Sequence, residues 1–291
     1  MAVLGRLVDP GPPAPSPRPS YARLLADAVA AKGRALRGLP AAARSLRRAT
    51  AAGGGLHPPT AAPCSLVLPT SGRSRFAVVW TALTALLAAG HRAGGTLNDA
   101  LLAAVAGALA ALLERRGESV ESLVLAVLVN ARRSVPAEEL GNAAIPLLVS
   151  VSTGGTSRER LRRIAGSVRA VRPTADGPSI VAGFGPLFRL LARAGLYRRY
   201  IEHQHRLHTL VSDVPGPRDR LAFHGVPIRA IVPVSVGDAG NVTVNFLALS
   251  YADVLTVTTV VADPQAVPDL RTLAALLQAE LDALVAEQVA R

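Results

Sequence analysis

Residues 96–117 read "TLNDALLAAVAGALAALLERRG" and contain fourteen consecutive apolar or glycine residues, from Ala100 to Leu113. Asp99 closes the run on one side and Glu114, Arg115 and Arg116 on the other. A membrane-spanning helix needs about 20 apolar residues, and a run of about 10–14 is more often a core helix. Thr96 followed by Asp99 has the pattern of a capping box with a short carboxylate in place of glutamate. The threonine hydroxyl accepts from a first-turn amide, and the acid sits at the positive end of the helix. Leu97, Leu101, Val105, Ala108 and Leu112 form one stripe, which Leu102, Leu109 and Leu113 widen. A helix apolar on nearly every side lies inside a large core. The stretch therefore predicts a buried helix.

The rest of the chain has the material for such a core. Half of its 291 residues are hydrophobic, but aromatics are only 3%, so Leu, Val and Ala must do the packing. The apolar run from Phe76 to Ala89 carries two threonines, and His91, Arg92 and Asp99 keep it from fusing with the next. The opening "MAVLGRLVDPGPPAPSPRPS" has no continuous apolar stretch of about seven residues, so no signal peptide is expected. The chain reads as soluble and not secreted. Its lone cysteine, Cys64, excludes an internal disulfide, fits a reducing compartment and leaves no cysteine cluster for zinc.

The formal charge is +12, yet nucleic acid is not an expected partner. Lys32 is the only lysine, so the excess is arginine in an Ala-, Gly- and Pro-rich sequence, and no aromatics interleave with it as base-stacking platforms. The basic residues form two blocks. One holds Arg18, Arg23, Lys32, Arg34, Arg37, Arg44, Arg47 and Arg48, and the other Arg158, Arg160, Arg162, Arg163, Arg169, Arg172, Arg189, Arg193, Arg198 and Arg199. Both read as solvated helix faces or as contacts for anionic lipid headgroups or a phosphate-bearing ligand.

Residues 1–60 read as a proline-rich lead, Pro10–Pro19, and a basic helical linker with helices over Tyr21–Arg37 and Ala41–Ala51. "GGGLHPPTAAP" breaks the chain, and residues 61–291 form the folded domain. A strand is expected at Arg75–Trp80, then a helix to about Gly90. "SLVLAVLVN", Ser122–Asn130, is too apolar for an edge strand, and Asn142–Ser152 is a second strand. Thr156 and Glu159 cap a helix running to Pro173. Its Leu161, Ile164, Val168 and Val171 face a core, with Arg158, Arg162, Arg169 and Arg172 in a basic stripe. A further helical region is expected over Ile180–Arg206, anchored by Leu187, Leu190, Leu191, Ala194, Tyr197 and Ile201. "TLVSDV", "IRAIVPVSV", "NVTVNFLALSY" and "VLTVTTVVAD" read as strands, and Val267–Gln288 as a closing helix. The fold class is α/β, a layered mixed sheet with flanking helices.

Three more strings matter beside the opening stretch: "LGN" at Leu140–Asn142, "SDVPGP" at Ser212–Pro217 and "SY" at Ser250–Tyr251. In this order and spacing the four resemble the C-terminal domain of the wax ester synthase/diacylglycerol acyltransferase family, over about Leu7 to Leu284. The resemblance implies a chloramphenicol-acetyltransferase-like fold. It also implies transfer from acyl-CoA, the co-substrate, to diacylglycerol or a long-chain alcohol, with no bound cofactor and no metal. It places Asn98 and Asp99 near the substrate channel, where an amide could orient substrate or donate to an oxyanion. Gly141, Asn142, Pro215, Gly216, Pro217, Ser250 and Tyr251 would be structural. The family pattern has asparagine where Asp213 stands, and a small polar residue and glycine where Ala252 and Asp253 stand.

The family's chemistry depends on a His-His-x-x-x-Asp-Gly motif, whose second histidine is the general base. None of His57, His91, His203, His205, His208 and His224 is followed by aspartate four residues on, and no two are adjacent. The resemblance thus implies that a catalytic half carrying the motif, a possible partner polypeptide, is needed. His203, His205 and His208 read as a solvated helix end, or as a metal pair at His205 and His208 that lacks an acid. His224 reads as a surface turn or a substitute base. Two functions stay open, the C-terminal part of an O-acyltransferase or a non-catalytic module for a lipid surface or partner. The expected location is cytoplasmic, at the periphery of a membrane or lipid droplet.

Overall fold

The computed structural model describes residues 20–30, 33, 37, 60–130, 144–175, 192–235, 240–265 and 267–286; the side chains at 128–130, 144–146 and 170–175 lie outside that description. The proline-rich lead, the expected helix at Ala41–Ala51, Leu140–Asn142, Val171, Arg172 and Leu187–Leu191 therefore fall outside it. The elements are α1 (21–30), β1 (Arg75–Ala82), α2 (Leu83–Arg92), α3 (Leu97–Arg115), β2 (Ser122–Asn130), β3 (Ala144–Ser152) and α4 (Ser157–Ala175). Next along the chain come α5 (Tyr197–Glu202), β4 (Thr209–Pro215), β5 (Ala222–Phe223), β6 (Val226–Pro227), β7 (Val244–Tyr251), β8 (Val254–Val261) and α6 (Leu270–Ala286).

The chain divides into two units. One comprises Met1–His57, Asp176–Tyr197 and Leu221–Ile228, and the other Pro58–Ala175, Arg198–Arg220 and Arg229–Arg291. The first contains α1 and the small antiparallel hairpin β5–β6, whose turn residues His224 and Gly225 both have positive φ. That is the turn geometry a two-residue hairpin loop favours.

The larger unit is built on α3. Thr96 Oγ1 accepts from the Asp99 amide (3.3 Å) while the Thr96 amide donates to Asp99 Oδ2 (2.7 Å), which completes the capping box. Every residue from Asp99 to Ala110 is buried, as are Leu112 and Leu113. Although α3 is long and apolar enough to cross a membrane, 78% of its apolar window is buried inside the protein, as in a core helix.

Beneath it runs a six-stranded mixed sheet in the order β1-β8-β7-β4-β2-β3. The central strands β7, β4 and β2 are mutually parallel, and the outer pairs are antiparallel. Its helix-facing rows, among them Leu123, Leu125, Val127, Val211, Phe246, Ala248, Leu255 and Val257, form one core with the leucines of α3. β2 is paired on both edges, as its unbroken apolar sequence requires.

Neighbouring helices fix where α3 lies. α4 packs on the edge strand β3, α6 packs on β1 and β8, and α3 is held between α4 and α6. It therefore covers the central strands. The chain passes from α3 to β2 through the short connection 116–121, so the two run in opposite directions. The N-terminal turn of α3 thus lies at the carboxyl ends of β2, β4 and β7.

A buried ion pair ties the helices together. Arg160 of α4 is 5% exposed, and its Nη1 donates to Glu280 of α6 (3.0 Å) while its Nη2 donates to the Gly155 carbonyl (3.2 Å). Ser157 Oγ donates to the same Glu280 oxygen (2.7 Å). Gly107 of α3 lies against this pair, where a methyl group would collide with the Glu280 carboxylate and the Arg160 guanidinium. Arg160 is thus a buried clamp, unlike Arg158, Arg162 and Arg169, which are exposed as expected. At the other end of α3, Arg116 binds Asp269 (2.6 Å) and Ser65 (2.7 Å).

Three expectations fail. Within the helical region placed at Ile180–Arg206, Gly195 adopts φ 69° and interrupts the helix; α5 has only six residues, none buried, and Ala194 and Tyr197 are exposed. Residues 228–235 of "IRAIVPVSV" join no ladder; Pro233 has no amide hydrogen to contribute, and Val232 and Val234 stay exposed. α4 runs two residues beyond Pro173, to Ala175.

The clamp predicts a contrast between neighbouring arginines. Arg160→Ala should lower unfolding stability by about 2–4 kcal/mol, because it strands a mostly buried carboxylate. Arg162→Ala, on the exposed face, should stay within about 0.5 kcal/mol. Urea denaturation of both variants measures the difference.

Candidate functional site

The carboxyl ends of the parallel strands gather the residues that the sequence singles out. β4 and β7 end in register, with Pro215 opposite Ser250. The Gly216 amide donates to Ser250 Oγ (3.0 Å), and the Ala252 amide donates to the Pro217 carbonyl (3.1 Å). A side chain at Gly216 would overlap the Ser250 carbonyl oxygen, so the close approach demands glycine. The strings "PGP" and "SY" are thus two halves of one clasp. Tyr251 is buried beside it, and Ala252 turns the chain at φ 50°, a conformation small polar residues adopt more readily than alanine. Gly141 and Asn142 lie outside the described residues.

Asp213 sits two residues before the clasp, opposite Ala248 and on the same side of β4 as Val211, hence on the helix-facing side. The residue is partly buried, but its Oδ1 is out of solvent contact and has no hydrogen-bond partner. Burial pushes its carboxyl up to about 6.

Asn98 lies nine positions before Gly107, about two and a half helical turns, and so on the opposite face of α3. Since Gly107 faces the α4–α6 clamp, Asn98 faces the sheet. Its Oδ1 is buried without a partner. Asp99 is 2% exposed; its Oδ2 serves the capping box, and its Oδ1 is unpartnered. Asn98 on the first turn of α3 and Asp213 near the end of β4 thus each carry a buried oxygen without a partner. The only sequence signal for Asp213 is its departure from the family's asparagine.

The histidines go elsewhere. α5 ends at Glu202, so His205 and His208 share no helix face. His205 is exposed, and His203 Nδ1 meets the Arg199 carbonyl (2.9 Å). His208, expected in solvent, is fully buried. The Val124 amide donates to its Nδ1 (2.9 Å), which leaves Nε2 to donate to the Ala62 carbonyl (3.0 Å). Burial depresses its basicity. It pins β2 to the segment entering the sheet, with both ring nitrogens engaged. His224 is exposed at the β5–β6 turn, edge-on to Phe223. Among the described residues no group of three or more His, Cys, Asp or Glu side chains could hold a metal.

This fold recurs in acyltransferases. The chain superposes on a wax ester synthase/diacylglycerol acyltransferase from Marinobacter aquaeolei VT8 with a TM-score of 0.62 at 23% identity, over 85% of this chain and 56% of that one. The complex of the X-domain and OxyB from teicoplanin biosynthesis gives 0.56 at 18%, over 94% and 60%. The architecture is that of the chloramphenicol-acetyltransferase-like proteins. The WS/DGAT C-terminal domain model matches residues 140–285, and the chain belongs to that family. A putative diacylglycerol O-acyltransferase of Mycobacterium tuberculosis is 29% identical over 199 residues, 66% of this chain and 40% of the relative. O-acyltransferase WSD of Acinetobacter baylyi is 27% identical over 229 residues, 75% of this chain and 48% of that protein. The chain thus spans less than half the length of these curated relatives.

Asp213 makes stability depend on pH in a definite direction. A carboxyl that titrates near 6 when folded and near its ordinary 3.8 when unfolded holds its proton longer in the fold. Stability therefore falls as pH rises from about 4 to 6 and stays lower above, by at most about 3 kcal/mol less what partial exposure returns. Asp213→Asn should raise the thermal midpoint at pH 7.5 and leave it nearly unchanged at pH 4. A midpoint that drops at pH 7.5 would contradict the assignment.

Proposed function

We propose that this chain provides the C-terminal part of an acyl-CoA-dependent O-acyltransferase that esterifies diacylglycerol or a long-chain alcohol. The observation that carries the reading is the clasp of Gly216 with Ser250, since both residues fall inside the segment matched by the family model. The names of the relatives supply the reaction class. In this reading the general base is a histidine of a His-His-x-x-x-Asp-Gly segment on a companion half, and the present residues form walls and polar contacts of the cleft. Asn98 orients the substrate from the first turn of α3. Acyl-CoA is a co-substrate and not a resident cofactor, and the enzyme works in the cytoplasm at a membrane or lipid-droplet surface.

A second reading, a lipid-surface or partner-binding module without chemistry, is favoured by one feature. α4 turns Arg158, Arg162, Arg163 and Arg169 outward on its exposed face. Each basic residue near an anionic bilayer contributes about 1 kcal/mol at most. Binding to anionic vesicles should weaken as salt rises and should be absent with neutral ones.

Thiol release from acyl-CoA in the presence of a long-chain alcohol separates the two. The 291-residue chain alone should show none above background, because losing a positioned general base typically removes about 10²–10⁴ of rate. Co-expression with a His-His-x-x-x-Asp-Gly half from a relative should restore it, and changing that half's second histidine to alanine should abolish it again. Robust turnover by the chain alone would overturn the proposal.

A further inference from the structure

The fold leaves one strand-like stretch unused. Residues 228–235 of "IRAIVPVSV" run without turn or bend and join no ladder. Burial alternates along them. Ile231, Pro233 and Ser235 are half-buried, while Ala230, Val232 and Val234 are exposed, Val232 by 40% and Val234 by 52%. That period of two belongs to an extended strand. Among the described residues, the backbones of Ala230, Val232 and Val234 form no hydrogen bond.

The two edges of the stretch differ. Alternate residues of a strand present their backbone groups on the same edge. Pro233 shares an edge with Arg229, Ile231 and Ser235, and its missing amide hydrogen closes that edge to a ladder. The opposite edge carries the amides and carbonyls of Ala230, Val232 and Val234, with no proline and no charged side chain among them. The sheet's own outer strand shows what a guarded edge looks like. At β1, the Trp80 amide donates to Gln278 Oε1 of α6 (3.4 Å), and Gln278 Nε2 donates to the Trp80 carbonyl (3.1 Å) and to Asp282 Oδ1 (2.8 Å). A side-chain amide stands there in place of a neighbouring strand. Folded proteins blunt a bare edge by such means or pair it, and 230–234 has no such guard.

The length of the relatives identifies the occupant. This chain covers 40% of one curated relative and 48% of another, so each has more than half of its length outside the match. The stretch lies within the matched C-terminal domain, residues 140–285. A second copy of this chain is disfavoured by its formal charge of +12. We propose that residues 230–234 pair, through the edge of Ala230, Val232 and Val234, with a strand of the companion half. This rests on the acyltransferase reading, for which it names the segment that joins the two halves.

The test co-expresses the full 291-residue chain with the N-terminal half of O-acyltransferase WSD of Acinetobacter baylyi. Sedimentation of the purified complex on dilution, without acyl-CoA, measures its dissociation constant. Val232→Pro removes the central amide of the open edge and should weaken the complex about tenfold or more. Ala230→Pro should weaken it in the same direction. Arg229→Pro, on the closed edge, should change it less than about twofold, and Val232→Ala, which keeps the amide, should cost less than Val232→Pro. None of these amides is bonded within the described chain, so each variant alone should keep the unsubstituted thermal midpoint. If Val232→Pro does not fold, Ala230→Pro decides. Absence of a complex, or a complex that both open-edge proline variants leave intact, would overturn the proposal. So would self-association of the chain alone that Val232→Pro abolishes, since the occupant would then be a second copy. Acyl transfer restored in a complex that Val232→Pro does not weaken would overturn this pairing and leave the acyltransferase reading standing.

Discussion

α3 has almost no polar side, and the need to hide it shapes the whole larger unit. A helix buried around its whole circumference needs a sheet beneath and helices on both flanks. The sheet supplies alternating aliphatic rows, and α4 and α6 close the sides. The Arg160–Glu280 pair locks those two helices over Gly107, where the lack of a side chain on α3 leaves room. The capping box fixes where the helix begins, and hence which residues face the carboxyl ends of β4 and β7. Core packing and the placement of the candidate site are one constraint.

Much of this is legible in the sequence, and the parts that are not have physical reasons. The span and cap of α3 come from local chemistry, and β1, β2, β7, β8 and α6 from periodicity, which reports how a segment divides its faces. Periodicity does not report whether a partner is at hand. "IRAIVPVSV" has the composition of a strand, but residues 228–235 find no ladder. Arg160 cannot be told from its basic neighbours in the sequence, because the acid that buries it lies 120 residues away. His208 has the sequence context of a polar helix end, yet β2 places a backbone amide against its ring. At the site, Pro215–Pro217 and Ser250 stand out singly in the sequence, but nothing there says that Gly216 and Ser250 touch.

The division of labour in the site has its origin in the same geometry. This chain brings amide, carboxyl and hydroxyl groups to the strand ends, while His208, its one fully buried histidine among the described residues, is fixed by two backbone hydrogen bonds and made less basic. Burial pushes the partly buried carboxyl of Asp213, near the strand ends, up to about 6. The asparagine of the family pattern would hydrogen-bond there without titrating. The aspartate instead carries a cost in stability above pH 6.

All of this requires that the first turn of α3 and the end of β4 face each other across the layer. Cys64 is the only cysteine in the sequence, so a Cys64→Ser background allows a direct check. In it, the pair Asn98→Cys and Asp213→Cys should be joined by a short bifunctional thiol reagent under native conditions, as seen by intact mass. The pair Arg162→Cys and Asp213→Cys, with the first on the exposed face of α4, should not be joined. Efficient cross-linking of the second pair, or none of the first, would contradict this arrangement of helix and sheet.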